Sequence, residues 1–142
     1  TRQRGRVPHH EVRTHIAAMN LFCVPREHTP VTRLVPPMKP LEALATGVPL
    51  IVSDLPPLTE LLDATPGVGW VVEAGATHAW AHELRERLYD PPRLVDAGRA
   101  GRDWILASRT WAHMARRYDD IYTAAFDHCT ARRRGDDSRK DG

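Results

Sequence analysis

Short apolar runs alternate with longer amphipathic stretches between Val7 and Trp111. Three of the apolar runs are edged by proline, glycine or polar residues, as expected for strands buried on both faces of a parallel sheet. They are NLFCV at 20–24, PLIVS at 49–53 and GWVVE at 69–73. Because strands that alternate with helices are typical of parallel α/β proteins, the pattern predicts an α/β fold. The order of the strands is not readable from the sequence.

The amphipathic stretches carry signals for helix ends. Residues 10–19 repeat apolar side chains at helical spacing and lead into the first strand. In the segment 38–47, Pro40 lies near the first helical position, where its missing N–H costs nothing. Gly47 lies where a left-handed cap is favoured, so this segment is predicted to be a helix of two turns.

Three further helix starts are predicted downstream of the second strand. The segment 53–63 has a stripe of leucines, with Ser53 and Asp54 as candidate N-terminal caps. Thr77 is placed to cap the next helix, and the DPP sequence at 90–92 ends that helix and begins another.

The last part of the chain is predicted to be helical and then disordered. One helix runs to about Leu106, and another begins at about Arg109. The aromatic residues of this last helix recur at helical spacing, at Trp111, Tyr118, Tyr122 and Phe126. The sequence then becomes charged and nearly free of apolar residues. We therefore predict one folded domain at 1–129 and a charged, disordered tail at 130–142.

Length and composition are those of one soluble folded domain. The chain has 142 residues, of which 42% are apolar and 27% are charged. No run approaches the roughly 18 apolar residues of a membrane-spanning helix, and no signal peptide is evident, which predicts a cytoplasmic protein. Because the first residue is Thr1 rather than methionine, we expect the chain to be part of something longer.

The distribution of charge argues against a nucleic-acid partner. Much of the positive surplus behind the net charge of +2 lies in RRR at 132–134, and no structured stretch carries a basic stripe. These arginines leave open a peripheral contact with the inner face of an anionic membrane. Cys23 and Cys129 are far apart and belong to no CxxC, so neither a disulfide nor a zinc framework is indicated.

The chemically informative segment runs from Arg33 to Leu61. In it a loop leads into a helix that bears Lys39 and Glu42 near its N-terminus, and a buried strand follows. Open α/β sheets bind ligands at the carboxyl ends of their strands, where helix N-termini attract phosphate. Lys39 would add a full positive charge, and the Glu42 carboxylate could accept hydrogen bonds from two ribose hydroxyls. From the residues alone, Glu42 equally suits the helix dipole without any ligand, and Lys39 equally suits solvent.

A family resemblance runs through this segment. PMKPLEALATGVPLIVSDLPPLTEL at 37–61 resembles the donor-site motif of the GT-B glycosyltransferases, in the group of retaining enzymes called glycosyl transferases group 1 or family 4. Three other stretches also resemble this family: GRVPHHEVRTHIAAMNLFCVPR at 5–26, GVGWVVEAGATHAWA at 67–81 and RTWAHMARRYDDIY at 109–122. The resemblance implies a partial Rossmann-like sheet, the C-terminal half of a GT-B fold, followed by C-terminal helices.

The resemblance implies that the chain binds a nucleotide-sugar donor. Glu42 matches the family glutamate that bonds the ribose hydroxyls, and Lys39 matches a lysine in one branch of the family. The N–H groups around Met38 to Leu41 are implied to form a backbone cradle near the diphosphate. With Arg33, Lys39 is implied to neutralise the leaving diphosphate, so these two are the candidate catalytic residues. The residues implied to bind the donor are Arg26, Leu34, Val35, Met38, Pro40, Leu41 and Glu42.

One position departs from the family pattern. The family carries an earlier glutamate eight positions before the ribose-binding one, and this chain has Leu34 there. Glu27 is the nearest upstream carboxylate, although its spacing differs from that pattern. Asp54 and Glu60 follow the second strand, where packing and ligand binding account for them equally well.

No metal and no cofactor are expected. The family uses cationic side chains in place of a divalent metal, and no Asp-x-Asp sequence is present. His78 and His82 are four residues apart on a predicted helix, but a surface position explains them better than zinc. His9 and His10 are expected to cap a helix or to lie in an interdomain cleft.

The resemblance also implies an N-terminal domain that holds a sugar or lipid-linked acceptor. Without that domain, the isolated chain is expected to be inactive. Three other activities compete with transfer: a GT-B epimerase, a GT-B phosphorylase, and a degenerate binding module without catalysis. A dinucleotide dehydrogenase is disfavoured because no GxGxxG opens a helix after a strand.

Overall fold

The computed structural model describes residues 5–137, with side chains as far as Cys129. The chain divides after Ala107 into two units. The elements that begin in the first unit are α1 (His9–Ala17), β1 (Phe22–Val24), α2 (Pro30–Leu34), α3 (Lys39–Ala45), β2 (Leu50–Ser53), α4 (Pro56–Asp63), β3 (Gly69–Val72), α5 (Thr77–Leu88) and α6 (Pro91–Ser108). The second unit contains one long helix, α7 (Trp111–Asp137).

The three predicted strands form one parallel sheet in the order β1-β2-β3. Leu50 of β2 lies between Phe22 of β1 and Gly69 of β3, which fixes the register on both sides. All four residues of β2 are buried, as the apolar sequence of a central strand predicts. The α/β fold is confirmed, and the structure supplies the strand order.

Alternate side chains of β2 enter two different cores. Leu50 and Val52 belong to the larger core, together with residues of α1, α3, α4 and α6. Ile51 faces the other way and packs with Val72 and Trp80 in a smaller core beneath α5. The sheet therefore has helices on both faces, and its carboxyl edge is left for the loops that follow the strands.

Helices α3 and α6 approach each other through glycines. Gly47 ends α3 with φ +80, which confirms the predicted left-handed cap. A Cβ atom on Gly98 of α6 would lie 2.1 Å from the Gly47 carbonyl oxygen, so a side chain at this position would collide with backbone. One turn further along α6, Arg102 donates from Nη1 to the Ala45 carbonyl oxygen at 3.3 Å. These contacts set the position of α6 against α3.

Three predicted helix caps are wrong. The N-cap of α4 is Leu55 and that of α5 is Ala76, and neither makes a side-chain cap bond. Ser53 is the last residue of β2, so its hydroxyl lies at the sheet edge, and the Asp54 carboxylate bonds a neighbouring loop instead. Thr77 is already the first residue of α5, one position too late to act as a cap.

Helix α7 is longer than the sequence predicts. Its backbone continues to Asp137, whereas the predicted tail starts at residue 130. Arginine is a good helix former, which favours continuation of the helix through 132–134. The end of the predicted tail, 138–142, lies outside the described residues.

Candidate functional site

The carboxyl end of β2 is tied to the loop after β1 by Ser53. This side chain is fully buried, with an exposure of 0%. Its Oγ accepts a hydrogen bond from the Arg26 amide at 2.8 Å and donates to the Val24 carbonyl oxygen at 3.4 Å. A side chain thus extends the pairing of β1 and β2 beyond the end of the backbone ladder and fixes the loop that carries Arg26.

Asp54 ties β2 to the loop on its other side. Its Oδ1 accepts a hydrogen bond from the Ala74 amide at 2.7 Å, just after β3. The same oxygen lies 3.5 Å from Nε2 of His28, which belongs to the loop after β1. Ser53 and Asp54 therefore fasten both neighbouring loops to the central strand.

Substituting Ser53 by alanine tests this attachment. The Arg26 amide would lose its partner, so the free energy of unfolding is expected to fall by about 1–3 kcal/mol. Urea denaturation measures this loss, and amide hydrogen exchange at Arg26 should become faster. Thr59→Ala is the matched control, because the Thr59 hydroxyl donates only to carbonyl oxygens in the first turn of α4. Equal losses in both variants would contradict the assigned role.

The loop then forms a short helix that the sequence analysis missed. Thr29 and Thr32 form a reciprocal capping box at the start of α2, and the Thr32 hydroxyl donates to the Glu27 carbonyl oxygen at 2.6 Å. Threonine followed by Pro30 is a recognisable helix start and would have revealed α2. Arg33 lies in the last turn of α2 and is exposed.

Three of the apolar residues predicted to bind the donor are exposed, from the end of α2 to the start of α3, whereas Pro40 is buried and Leu41 is partly buried within α3. Leu34 is 79% exposed, Val35 54% and Met38 65%. Neighbouring large apolar side chains that are this exposed are typical of surfaces that bind a ligand, another protein domain or a membrane.

The first turn of helix α3 itself uses some of the backbone amides that could otherwise bind a ligand. The Leu41 and Glu42 amides both bond the Met38 carbonyl oxygen, at 3.0 and 3.3 Å, and Pro40 has no N–H. In the part of the chain that the structure describes, the Met38 and Lys39 amides donate to no protein group. Of the predicted backbone cradle at 38–41, only these two amides are available to a ligand. Pro40 is buried, whereas the side chains of Lys39 and Glu42 are exposed.

Glu42 lines a cavity of about 400 Å³ between α1, α3 and α6, which we call the Glu42 cavity. Its lining residues are His9, Val12, Arg13, Ile16, Glu42, Ala45, Thr46, Arg102 and Leu106. Two arginines, from α1 and α6, share this cavity with the carboxylate. Sequence reasoning did not identify either arginine, although the spacing of 9, 12, 13 and 16 on one face of α1 is a readable signal.

A second cavity, of about 360 Å³, lies at the carboxyl edge of the sheet beside α5, and we call it the Thr77 cavity. Its lining residues are Cys23, Pro25, Arg26, Glu27, Ser53, Gly75, Thr77, Trp80 and Leu84. Burial raises the pKa of the Cys23 thiol, so this thiol stays protonated at neutral pH and is a poor nucleophile.

The predicted site residues are only partly brought together. Lys39 and Glu42 share the first turn of α3, and only Glu42 lines the Glu42 cavity. Arg26 lines the Thr77 cavity instead, and Arg33 lines neither of the two cavities. His9 is the first residue of α1 and lines the Glu42 cavity; the N-cap of that helix is Pro8.

Neither a metal cluster nor a membrane-spanning helix is present among the described residues. No group of three histidine, cysteine, aspartate or glutamate side chains among them is placed to hold a metal ion. Within the same residues, no helix combines the length and the apolar character needed to cross a bilayer.

Fold and site together define a class. A parallel sheet with helices on both faces is typical of α/β proteins that bind ligands at the carboxyl edge of the sheet. The sequence profile of the family described as Glycosyl transferases group 1 matches residues 2–104. The chain belongs to this family.

Two relatives illustrate the extent of the match. The chain is 28% identical over 124 residues to the alpha-maltose-1-phosphate synthase of Mycolicibacterium smegmatis, an alignment that covers 84% of this chain and 31% of the relative. The sucrose-phosphate synthase of Thermosynechococcus elongatus has the same fold, with a TM-score of 0.74 and 24% identity, over 87% of this chain and 30% of that one. The chain thus spans less than a third of the length of these two relatives.

Proposed function

We propose that this chain binds a nucleoside-diphosphate sugar and serves in the transfer of its sugar to an acceptor, with retention of configuration. The observation that carries the proposal is the position of Glu42, which lines a cavity of about 400 Å³ in a member of the glycosyl transferases group 1 family. This volume falls within the range of small-molecule sites, about 300–1,000 Å³.

The nucleoside occupies the Glu42 cavity. The Glu42 carboxylate is acceptor-only, which suits two neighbouring ribose hydroxyls that donate to it. Arg13 and Arg102 lie in the same cavity and keep it electropositive despite the carboxylate. His9 and Val12 supply flat and apolar surface for the base.

The diphosphate lies at the start of α3. There it meets the Lys39 ammonium group and the two available amides, those of Met38 and Lys39. Cleavage of the sugar–phosphate bond adds about one negative charge to the leaving diphosphate, so fixed cations stabilise the transition state more than the ground state. Lys39 and Arg33 supply that charge, and we place no metal in this step.

The acceptor is a sugar or a lipid-linked sugar. Since the chain corresponds to 31% of its maltose-1-phosphate synthase relative, we place the acceptor-binding domain outside it. The chain is then the C-terminal domain of a GT-B enzyme of family 4, and it acts in the cytoplasm, with peripheral membrane contact if the acceptor is lipid-linked. By itself it binds the donor weakly and turns over nothing.

Leu34 supports a second candidate function. This exposed leucine stands where the family has a glutamate near the donor sugar, so the site lacks one carboxylate. A binding module that retains nucleotide affinity without catalysis fits this substitution. Donor binding without sugar transfer in a longer form that includes the acceptor domain would favour it.

Two substitutions in α3 test the donor site by different readouts. Each of Lys39→Ala and Glu42→Ala is expected to weaken nucleoside-diphosphate binding about tenfold to a hundredfold, the cost of a lost charged hydrogen bond. The Lys39 effect should vanish for the bare nucleoside, whereas Glu42→Ala should remove the preference for ribose over deoxyribose. Titration calorimetry with UDP, GDP and ADP, with the corresponding nucleosides and with the 2′-deoxynucleoside diphosphates measures both effects.

The matched controls are Arg85→Ala and Glu86→Ala, exposed charges on α5 that line neither cavity. Both should bind nucleoside diphosphates like the unsubstituted chain. If Lys39→Ala and Glu42→Ala do so as well, the donor site is assigned to the wrong place.

A further inference from the structure

We propose that the Thr77 cavity is a subsite for one neutral hexopyranose unit, separate from the nucleoside site. The proposal deepens the proposed function, on which it rests for the origin of that sugar. No residue lines both the Thr77 cavity and the Glu42 cavity, so binding at each can be measured independently.

The rim of the Thr77 cavity is fixed before any ligand arrives. Ser53, itself fully buried, holds the Arg26 amide on one side, and Asp54 holds the Ala74 amide on the other. Gly75, with φ +81, lies in a turn that the Ala76 amide closes by donating to the Glu73 carbonyl oxygen at 3.3 Å, and the Thr77 amide donates to the Gly75 carbonyl oxygen at 3.0 Å. Preorganisation of this kind lowers the entropic cost of binding a small ligand.

The polar groups of the rim match the hydroxyls of a sugar. The Arg26 guanidinium only donates hydrogen bonds, the Glu27 carboxylate only accepts them, and the Thr77 hydroxyl does both. Sugar hydroxyls both donate and accept, so each of these groups can pair with one. Arg26 and Glu27 contribute one positive and one negative charge to the lining, so these two residues together give no net charge that would attract an ionic ligand, which suits a neutral polyol.

The floor of the cavity is apolar. Trp80 and Leu84 of α5 form it, and the Trp80 indole Nε1 donates to the Glu73 carbonyl oxygen at 3.2 Å, which holds the ring in place. A pyranose ring has C–H groups that can pack on such a surface while its hydroxyls reach a polar rim. The volume of about 360 Å³ is near the lower end for ligand sites, which suits one monosaccharide unit and not a whole nucleotide sugar.

Titration of the full 142-residue chain with methyl α-glucoside, α-galactoside and α-mannoside, followed by amide NMR, tests the subsite. At least one glycoside should shift the Arg26, Gly75 and Thr77 amides and the Trp80 indole N–H, and leave the Arg13 amide unchanged. Thr77→Val and Glu27→Gln should each weaken this binding about fivefold to tenfold, as expected for one lost hydrogen bond. Thr14→Val and Glu86→Gln, at exposed positions of α1 and α5, are the matched controls and should bind normally.

Two results would overturn the proposal: none of the three glycosides shifts these four resonances, or both cavity variants bind with unchanged affinity. If the proposed nucleotide binding is wrong, the NMR titrations give a different result. In that case UDP, GDP and ADP leave the Glu42 cavity unperturbed, while the glycoside shifts beside α5 remain.

The source of the sugar is decided by competition. A nucleotide sugar that shifts both cavities and displaces the glycoside shows that the donor's own sugar occupies the subsite. Glycoside binding that persists in the presence of a saturating nucleotide sugar assigns the subsite to the acceptor. Both results support a hexopyranose site in the Thr77 cavity.

Discussion

Gly98→Ala is expected to reduce the free energy of unfolding by about 3 kcal/mol, the upper end of the usual cost of overpacking. The new Cβ would lie 2.1 Å from the Gly47 carbonyl oxygen and 2.9 Å from the carbonyl carbon, and backbone atoms cannot rotate aside as a side chain can. Alanine gains about 1 kcal/mol of helix propensity over glycine, which does not offset the collision. Urea denaturation measures the loss.

Gly101→Ala is the matched comparison on the same helix. Its Cβ would lie 2.6 Å from Cδ2 of Leu44, the far end of a side chain that can shift, so its loss of stability should be smaller. Equal losses of stability for the two variants would show that the close contact between Gly98 and the Gly47 backbone adds no extra cost to an alanine at position 98. Gly98→Ala should also weaken nucleoside-diphosphate binding, because α6 carries Arg102 and Leu106 into the Glu42 cavity.

Leu44→Ala is expected to cost about 2–5 kcal/mol of stability, as for other leucines removed from a core. Leu44 has an exposure of 0% and lies between the sheet and α6 in the larger core. A double-mutant cycle with Gly101→Ala makes the prediction more specific. Since truncation of Leu44 removes the atom that collides with the new Cβ, Gly101→Ala should be less costly in the Leu44→Ala background.

The coupling energy in this cycle should be favourable and of about 0.5–3 kcal/mol, the range for residues in direct contact. Leu58→Ala is the control background, because Leu58 is equally buried but belongs to α4. Additive costs in the Leu44 background would rule out the packing of α6 on α3 described above.

The start of α3 illustrates how much of the candidate site was readable from the sequence. Pro40 near the first helical position and Gly47 at the end bracket the helix correctly, because both signals act within a few residues of the backbone that they affect. The sequence therefore places Lys39 and Glu42 on its first turn, where the structure has them. The predicted backbone cradle was too large, because the turn itself uses the Leu41 amide.

Ser53 and Asp54 illustrate what the sequence did not reveal. Both were predicted to cap the helix that follows them, a local role that their residue types favour. Instead, Ser53 bonds the amide of a residue 27 positions earlier and Asp54 that of a residue 20 positions later. No local pattern encodes these partners, since they depend on which strands lie next to β2.

The sequence by itself determined the α/β class, the three strands and the placement of Lys39 and Glu42 on one helical turn, because periodicity and helix-end signals act over a few residues. Only the tertiary structure decided the strand order, the two cavities and the presence of Arg13 and Arg102 beside Glu42. These features arise where segments distant in the chain meet, and such meetings depend on how the buried faces of all the elements pack together.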